Sequence, residues 1–135
     1  MSDWNAEVIA EFRANGGKVE RFGDAPIVIL NTIGAKSGQL REIPLVAMVD
    51  DDAIVIFASK AGAPSNPDWY YNLKANPEID VEFGTEMFRA RIDQLPADEA
   101  AAKIQTMAGF MPQFAEYVEK AAPRAIPAFG INRLG

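Results

Sequence analysis

Between Ser59 and Leu73 the chain reads Ser-Lys-Ala-Gly-Ala-Pro-Ser-Asn-Pro-Asp-Trp-Tyr-Tyr-Asn-Leu, which sets one cation, a loop of small residues and a cluster of aromatics side by side. With nothing larger than a methyl on Ala61 and Ala63, the backbone around Gly62 can approach a bulky anion. The spacing predicts a helix with Pro67 at its first position and Asn66 as its cap, so that unpaired amides face the same way as the loop. Trp69, Tyr70 and Tyr71 follow at once and offer rings to a planar molecule. The competing reading is a loop of ordinary turn residues whose aromatics dock in the core.

Two further cations join Lys60 of this segment, which makes three. Lys36 stands in a turn beside Ser37 and Gly38, Arg41 opens the strand that follows, and Lys60 closes another. The chain carries 13 Lys plus Arg against 19 Asp plus Glu, a formal charge of −6. A positive rim on so acidic a molecule suits one specific phosphate or carboxylate, because the overall field repels anions. Against it stands a solvated Lys36 and an Arg41 paired with Glu42. Tyr70, Tyr71, Phe114 and Tyr117 either line a flat cavity or are plain core. In the first case the Tyr117 hydroxyl can give a hydrogen bond, or a proton, to a carbonyl that gains charge on reduction.

What is missing narrows the chemistry further. The 135 residues include no cysteine and no histidine, which removes disulfides, thiolate nucleophiles, the usual general base and the commonest metal ligands. No metal is expected. There is no G-x-G-x-x-G after a strand and no phosphate-binding P-loop, so nicotinamide and ATP sites of the usual kinds have no support. The acidic balance disfavours nucleic acid. No apolar run approaches the roughly 20 residues that span a bilayer, and the N-terminus lacks a signal core, so a cytoplasmic protein with at most peripheral membrane contact is expected. Chemistry borne by a cofactor is what remains.

These residues need a scaffold, and one domain covering residues 1–135 is long enough to supply it. Trp4, Val8, Ile9 and Phe12 fall on one helical face from Asp3 to Ala14, ending at Asn15, Gly16 and Gly17. Strands are expected at Pro26 to Ile33, Arg41 to Val49 and Ala53 to Ala58, a meander with a turn at Asp50, Asp51 and Asp52. A short helix runs from Pro67 to about Asn76. Two more strands, Ile79 to Phe83 and Met87 to Leu95, precede an alanine-rich helix from Pro96 and another from about Pro112 to Ala121 that groups Phe114, Tyr117 and Val118. A sixth strand covers Ile126 to Ile131. Strands that mostly follow strands suit a mainly β, α+β fold: a six-stranded closed or split β-barrel, with short helices around it, rather than a doubly wound sheet.

With these residues in view, the chain resembles the deazaflavin-dependent nitroreductase and quinone reductase family, split-barrel oxidoreductases that use coenzyme F420. The likeness covers nearly the whole chain. It is carried by Phe12 to Lys18, the Gly34 to Gly38 turn, Arg41, Pro44, Leu45, Ser59 and Lys60, then Asn66, Pro67, Trp69, Tyr70, Asn72, Leu73, Ala75, Asn76 and Pro77. The resemblance implies that the coenzyme meets Lys36, Ser37, Arg41, Glu42, Ile43, Pro44, Leu45, Val46, Ala58, Ser59, Lys60, Trp69, Tyr70 and Asn72, with the basic residues on its phosphate and oligoglutamate tail. It also implies a substrate pocket at Phe114 and Tyr117. The family turn carries Arg where Ala35 stands and Gly where Ala61 stands, and a pocket tyrosine of some relatives falls on Phe114.

The function implied is hydride transfer from the reduced deazaflavin to a quinone, an activated enone or a nitro compound, with Tyr117 or solvent giving the proton. Alternatives are an FMN-dependent oxidoreductase on the same fold, or a non-catalytic carrier of a tetrapyrrole or fatty acid. The expected partner is a small molecule, and a monomer is slightly favoured over an oligomer.

Overall fold

The computed structural model describes residues 3–23, 25–50, 53–63 and 65–134, leaving aside the side chains of residues 3, 4, 50 and 61. The Trp4 side chain and the turn at Asp51 and Asp52 thus lie outside the described residues. In chain order the elements are α1 (Asp3–Ala14), β1 (Ile27–Ile33), β2 (Leu40–Val46), β3 (Met48–Asp50), β4 (Ala53–Phe57), α2 (Asp68–Ala75), β5 (Glu78–Phe83), β6 (Glu86–Gln94), α3 (Ala97–Phe110), α4 (Gln113–Ala121) and β7 (Ala128–Arg133). Short 3-10 turns lie at Glu20–Phe22 and Lys60–Gly62.

All strands join one antiparallel sheet in the order β2-β1-β5-β6-β7-β4-β3. Its two outermost strands, β2 and β3, are separated in the chain by Ala47 alone, so the sheet curls until its ends meet at that buried residue. The single strand expected from Arg41 to Val49 is therefore two strands, and the described residues form seven strands rather than six. At Ala47 the amide donates to the Pro26 carbonyl (2.9 Å), the last bond toward β1, and from Met48 onward the chain pairs with β4. One straight strand cannot follow two neighbours that diverge around a closing barrel. The hairpins β1–β2 and β3–β4 form as expected, while β1 and β4 take β5 and β7 as their other partners.

Burial explains the sequence pattern strand by strand. Val28 and Leu30 of β1 point into the barrel, whereas Ile27 and Ile29 pack beneath α1 against Val8, Ile9 and Phe12. A strand covered on both faces reads as a continuous apolar run, as this one does. In β4, Ile56 points inward and Val55 and Phe57 face Ile104, Met107 and Phe114 of α3 and α4. By contrast β5 and β6 are covered on one side along most of their length, with Arg13 of α1 reaching the outer face at Glu82. Ile79, Val81, Ala90 and Ile92 face the core, and the outer face carries the in-register ion pairs Glu78–Arg91 and Asp80–Arg89.

Helix α1 closes at Gly16 and Gly17 as expected, at φ +65 and +97, and a Cβ on Gly17 would lie 2.6 Å from the Gly84 backbone. Arg13 fastens the helix to the sheet. Its Nε and Nη2 donate to the two Glu82 oxygens at 3.0 and 2.7 Å, and Nη2 also pairs with Glu42. Hydrogen bonding from Arg13 holds the buried Glu82 carboxyl below its usual range despite its burial, helped by Asn31 Nδ2 at 3.3 Å.

Candidate functional site

The site lies where the barrel is split. The bonds from Gly34 N to Gln39 O and from Ala47 N to Pro26 O fix the parity of the β1–β2 ladder, so the backbone polar groups of residues 41, 43 and 45 point toward β1. Those of Glu42, Pro44 and Val46 point away, at the free edge of β2. Pro44 thus occupies an outward position, where a missing N–H costs no ladder bond.

Beside this edge is a cleft of about 290 Å³. Pro44, Leu45 and Val46 form one side, Ser59 and Lys60 another, and α4 adds Gln113, Phe114 and Tyr117. Phe114 and Tyr117 meet edge to face at 5.2 Å, and Phe57 backs Phe114 at 5.8 Å. Trp69 also borders the cleft, and it borders as well a larger groove of about 810 Å³ that holds Lys36, Ser37, Arg41, Ile43, Tyr71 and Asn72. Trp69 is thus a wall of both cavities.

The three cations accordingly occupy two compartments rather than one rim. Lys36 and Arg41 share the groove, and Lys60 borders the cleft. Among the described residues neither Lys36 nor Arg41 has a side-chain hydrogen bond or ion pair, while Lys60 Nζ lies 3.4 Å from Ser65 Oγ. The pairing of Arg41 with Glu42 does not form, because Glu42 turns to Arg13 on the α1 side and borders neither cavity.

Several expected contacts have structural duties here. Asn72 Oδ1 accepts the Ala35 amide at 2.9 Å and Asn76 Nδ2 donates to the Ile33 carbonyl at 3.4 Å, so α2 holds the turn that carries Lys36. Ser37 Oγ accepts the Gln39 amide at 3.2 Å. Ala58 is wholly buried. Tyr70 packs edge-on against Tyr71 and Phe129, at 5.0 and 5.7 Å, and borders neither cavity, whereas the half-exposed Tyr71 borders the groove. Val118 departs from Phe114 and Tyr117 and is exposed.

The loop after β4 differs from expectation in two respects. Helix α2 starts at Asp68 with Pro67 as its cap residue, and Asn66 does not cap it. Its Oδ1 accepts from Arg124 Nη1 at 2.7 Å. Gly62, at φ +82, permits a close approach to α4 rather than to a ligand. A Cβ there would lie 2.7 Å from Lys120 Cβ and 3.1 Å from the Tyr117 backbone, and the Gly62 and Ala63 amides are already bonded to the Ser59 and Lys60 carbonyls.

Sequence reasoning missed Phe22, Ile27, Phe57, Met111 and Gln113 in the cleft, and Arg124 behind it. Gln113 was within reach, because it sits one helical turn before Tyr117. Arg124 was not, since its partners lie 58 to 66 residues away.

Among the described residues no cluster of His, Cys, Asp and Glu could hold a metal, and no helix is long and apolar enough to cross a membrane. An F420H(2)-dependent quinone reductase of Mycobacterium tuberculosis is 41% identical over 81 residues, covering 58% of this chain and 54% of that protein. The chain thus spans about half the length of the curated relatives it matches. A solved F420-H2 dependent reductase, FDR-A, is 35% identical with a TM-score of 0.70, covering 79% of this chain and 94% of its own. A second solved chain, 33% identical with a TM-score of 0.71 and covering 96% and 98%, is a domain-swapped dimer, which overturns the preference for a monomer. The model of the family described as F420H(2)-dependent quinone reductase matches residues 4–131, and the chain belongs to that family.

Proposed function

We propose that this protein, acting as one domain in the cytoplasm, binds coenzyme F420 and uses its reduced form to reduce a quinone or another electron-poor acceptor. The observation that carries this reading is that Trp69 lines both an apolar cleft and a groove whose two cations have no partner among the described residues. A ring joined to a polyanionic tail needs those two environments side by side.

When bound, the coenzyme supplies hydride from carbon C5 of its ring. The chain's own share is placement. Lys36 and Arg41 would hold phosphate and carboxylate groups of the tail, with Ser37 beside them, and α2 keeps their turn in register through Asn72. Pro44 and Val46 offer backbone groups at the β2 edge to the polar rim of the ring, while Leu45 and Trp69 wall it. Lys60 stands at the cleft with Ser59.

On the acceptor side Phe57, Met111 and Phe114 keep the cleft apolar. Gln113 and Tyr117 bring an amide and a hydroxyl from one face of α4, and neither polar group has a side-chain hydrogen bond among the described residues. They would hold the acceptor oxygen as it takes on charge, and Tyr117 can donate the proton.

The test is anaerobic oxidation of the reduced coenzyme by menadione, followed by absorbance, with and without enzyme. Catalysed, saturable oxidation is expected. A rate equal to that without enzyme across quinone, enone and nitro acceptors would reject the activity.

A further inference from the structure

We infer that Arg124 is a positioning residue that fixes the Ser59–Lys60 wall of the cleft, so that Lys60 can meet an anionic ligand there. This rests on the proposed coenzyme site, but its geometry stands apart from it. Arg124 follows α4 and is half-buried. Its Nε and Nη2 donate to the Ala63 carbonyl at 3.1 and 2.7 Å, Nη2 to the Ser59 carbonyl at 3.0 Å, and Nη1 to the Ala58 carbonyl and Asn66 Oδ1 at 3.1 and 2.7 Å.

One fork thus gathers acceptors from the end of β4, the loop and the entry to α2. Without a donor at their centre, the Ala58 and Ala63 carbonyls and Asn66 Oδ1 would converge without a partner, and Ser59 would keep only the Gly62 amide. The guanidinium has no carboxylate partner among the described residues, so it also leaves a positive charge behind the loop.

Lys60 shows why the loop needs holding. It is in the left-handed region at φ +48, which among the described residues no other non-glycine adopts. Gly62 presses the other side of the loop against Tyr117 and Lys120 of α4. Arg124 and Gly62 together tie the Lys60 wall to the Tyr117 wall. A lysine at 124 would keep the charge but could not reproduce the planar fork.

The experiment compares Arg124→Lys, Arg124→Met, Lys60→Met and the double variant Arg124→Met/Lys60→Met, each as the full chain. Hydrogen exchange of the Gly62 and Ala63 amides without ligand is read beside the dissociation constant for oxidised F420. Both Arg124 variants should speed exchange at these two amides about tenfold or more while β1 and β5 amides keep their protection.

Arg124→Met should weaken F420 about as much as Lys60→Met, roughly tenfold, with no further loss in the double variant. Unchanged exchange at Gly62 and Ala63, or losses that multiply, would overturn the inference. Should Arg124→Met lose protection throughout the sheet, Arg124→Lys, alone and combined with Lys60→Met, carries the same two tests. Failure of the unaltered protein to bind F420 would instead reject the functional reading, and with it the role given to Lys60, while the exchange result still decides the clamp.

Discussion

The Asn72 side chain accepts the Ala35 amide at 2.9 Å, so the helix that carries Trp69 also holds the turn from which Lys36 projects. The aromatic segment and the cationic turn, 37 residues apart in sequence, are thereby one unit. Asn72→Ala removes the acceptor and frees the turn. It should weaken F420 binding about three- to tenfold and lower stability by about 1 kcal/mol, read by coenzyme titration and thermal unfolding. Unchanged affinity would show that the turn is held by other means.

Lys36 and Arg41 share the groove without partners of their own among the described residues. Lys36→Gln and Arg41→Gln should each weaken F420 by about 1 to 3 kcal/mol, the range of a charge-assisted bond. Both should also flatten the dependence of affinity on salt. Affinity measured at two ionic strengths checks this, and salt dependence equal to that of the unaltered protein would place the tail elsewhere.

Tyr117 stands in the cleft beside Phe114 with its hydroxyl unbonded among the described residues. Tyr117→Phe should leave F420 affinity unchanged and lower kcat for quinone reduction about tenfold or more, as loss of a general acid does. A kcat equal to that of the unaltered enzyme would assign the proton to solvent.

Glu82 gives the fold an acid-sensitive anchor. Its carboxyl is held below the usual range by Arg13, so the protonated form is favoured more in the unfolded chain than in the folded one. The stability this contributes is fully present above the unfolded value of about 4.3 and is lost as pH falls through the lower folded value. Arg13 is 44% exposed, and solvent screening reduces the contribution to about 1 kcal/mol. Denaturant unfolding between pH 7 and pH 3 should therefore show a steeper loss in the unaltered protein than in Glu82→Gln. Parallel curves would contradict the linkage.

Local patterns carried much of this fold. The bounds of α1 follow from apolar spacing and the Gly16–Gly17 stop, and β1 follows from its β-branched run. The break at Ala47 was not legible, because it is imposed by which neighbours each half of the strand pairs with, and no turn residue marks it. Loop chemistry misled at Asn66 and Gly62. Both residues have the types expected of a cap and of a ligand loop, yet Arg124 and α4 take up those groups from far along the chain. Lys36, Arg41 and Trp69 were legible because cations in turns and a ring after a proline need no distant partner to be noticed. Gln113 and Met111 were hidden among ordinary helix and linker residues.

The proposed function requires that the cleft take a ring while the groove takes a long anionic tail. Its most direct measurement is a calorimetric titration of the unaltered protein and of the Lys36→Gln/Arg41→Gln variant with oxidised F420 and with flavin mononucleotide. Tight F420 binding that drops about 100-fold in the double variant, with flavin mononucleotide weak and little changed, is the predicted result. Tight binding of flavin mononucleotide, or F420 affinity that ignores both substitutions, would contradict it.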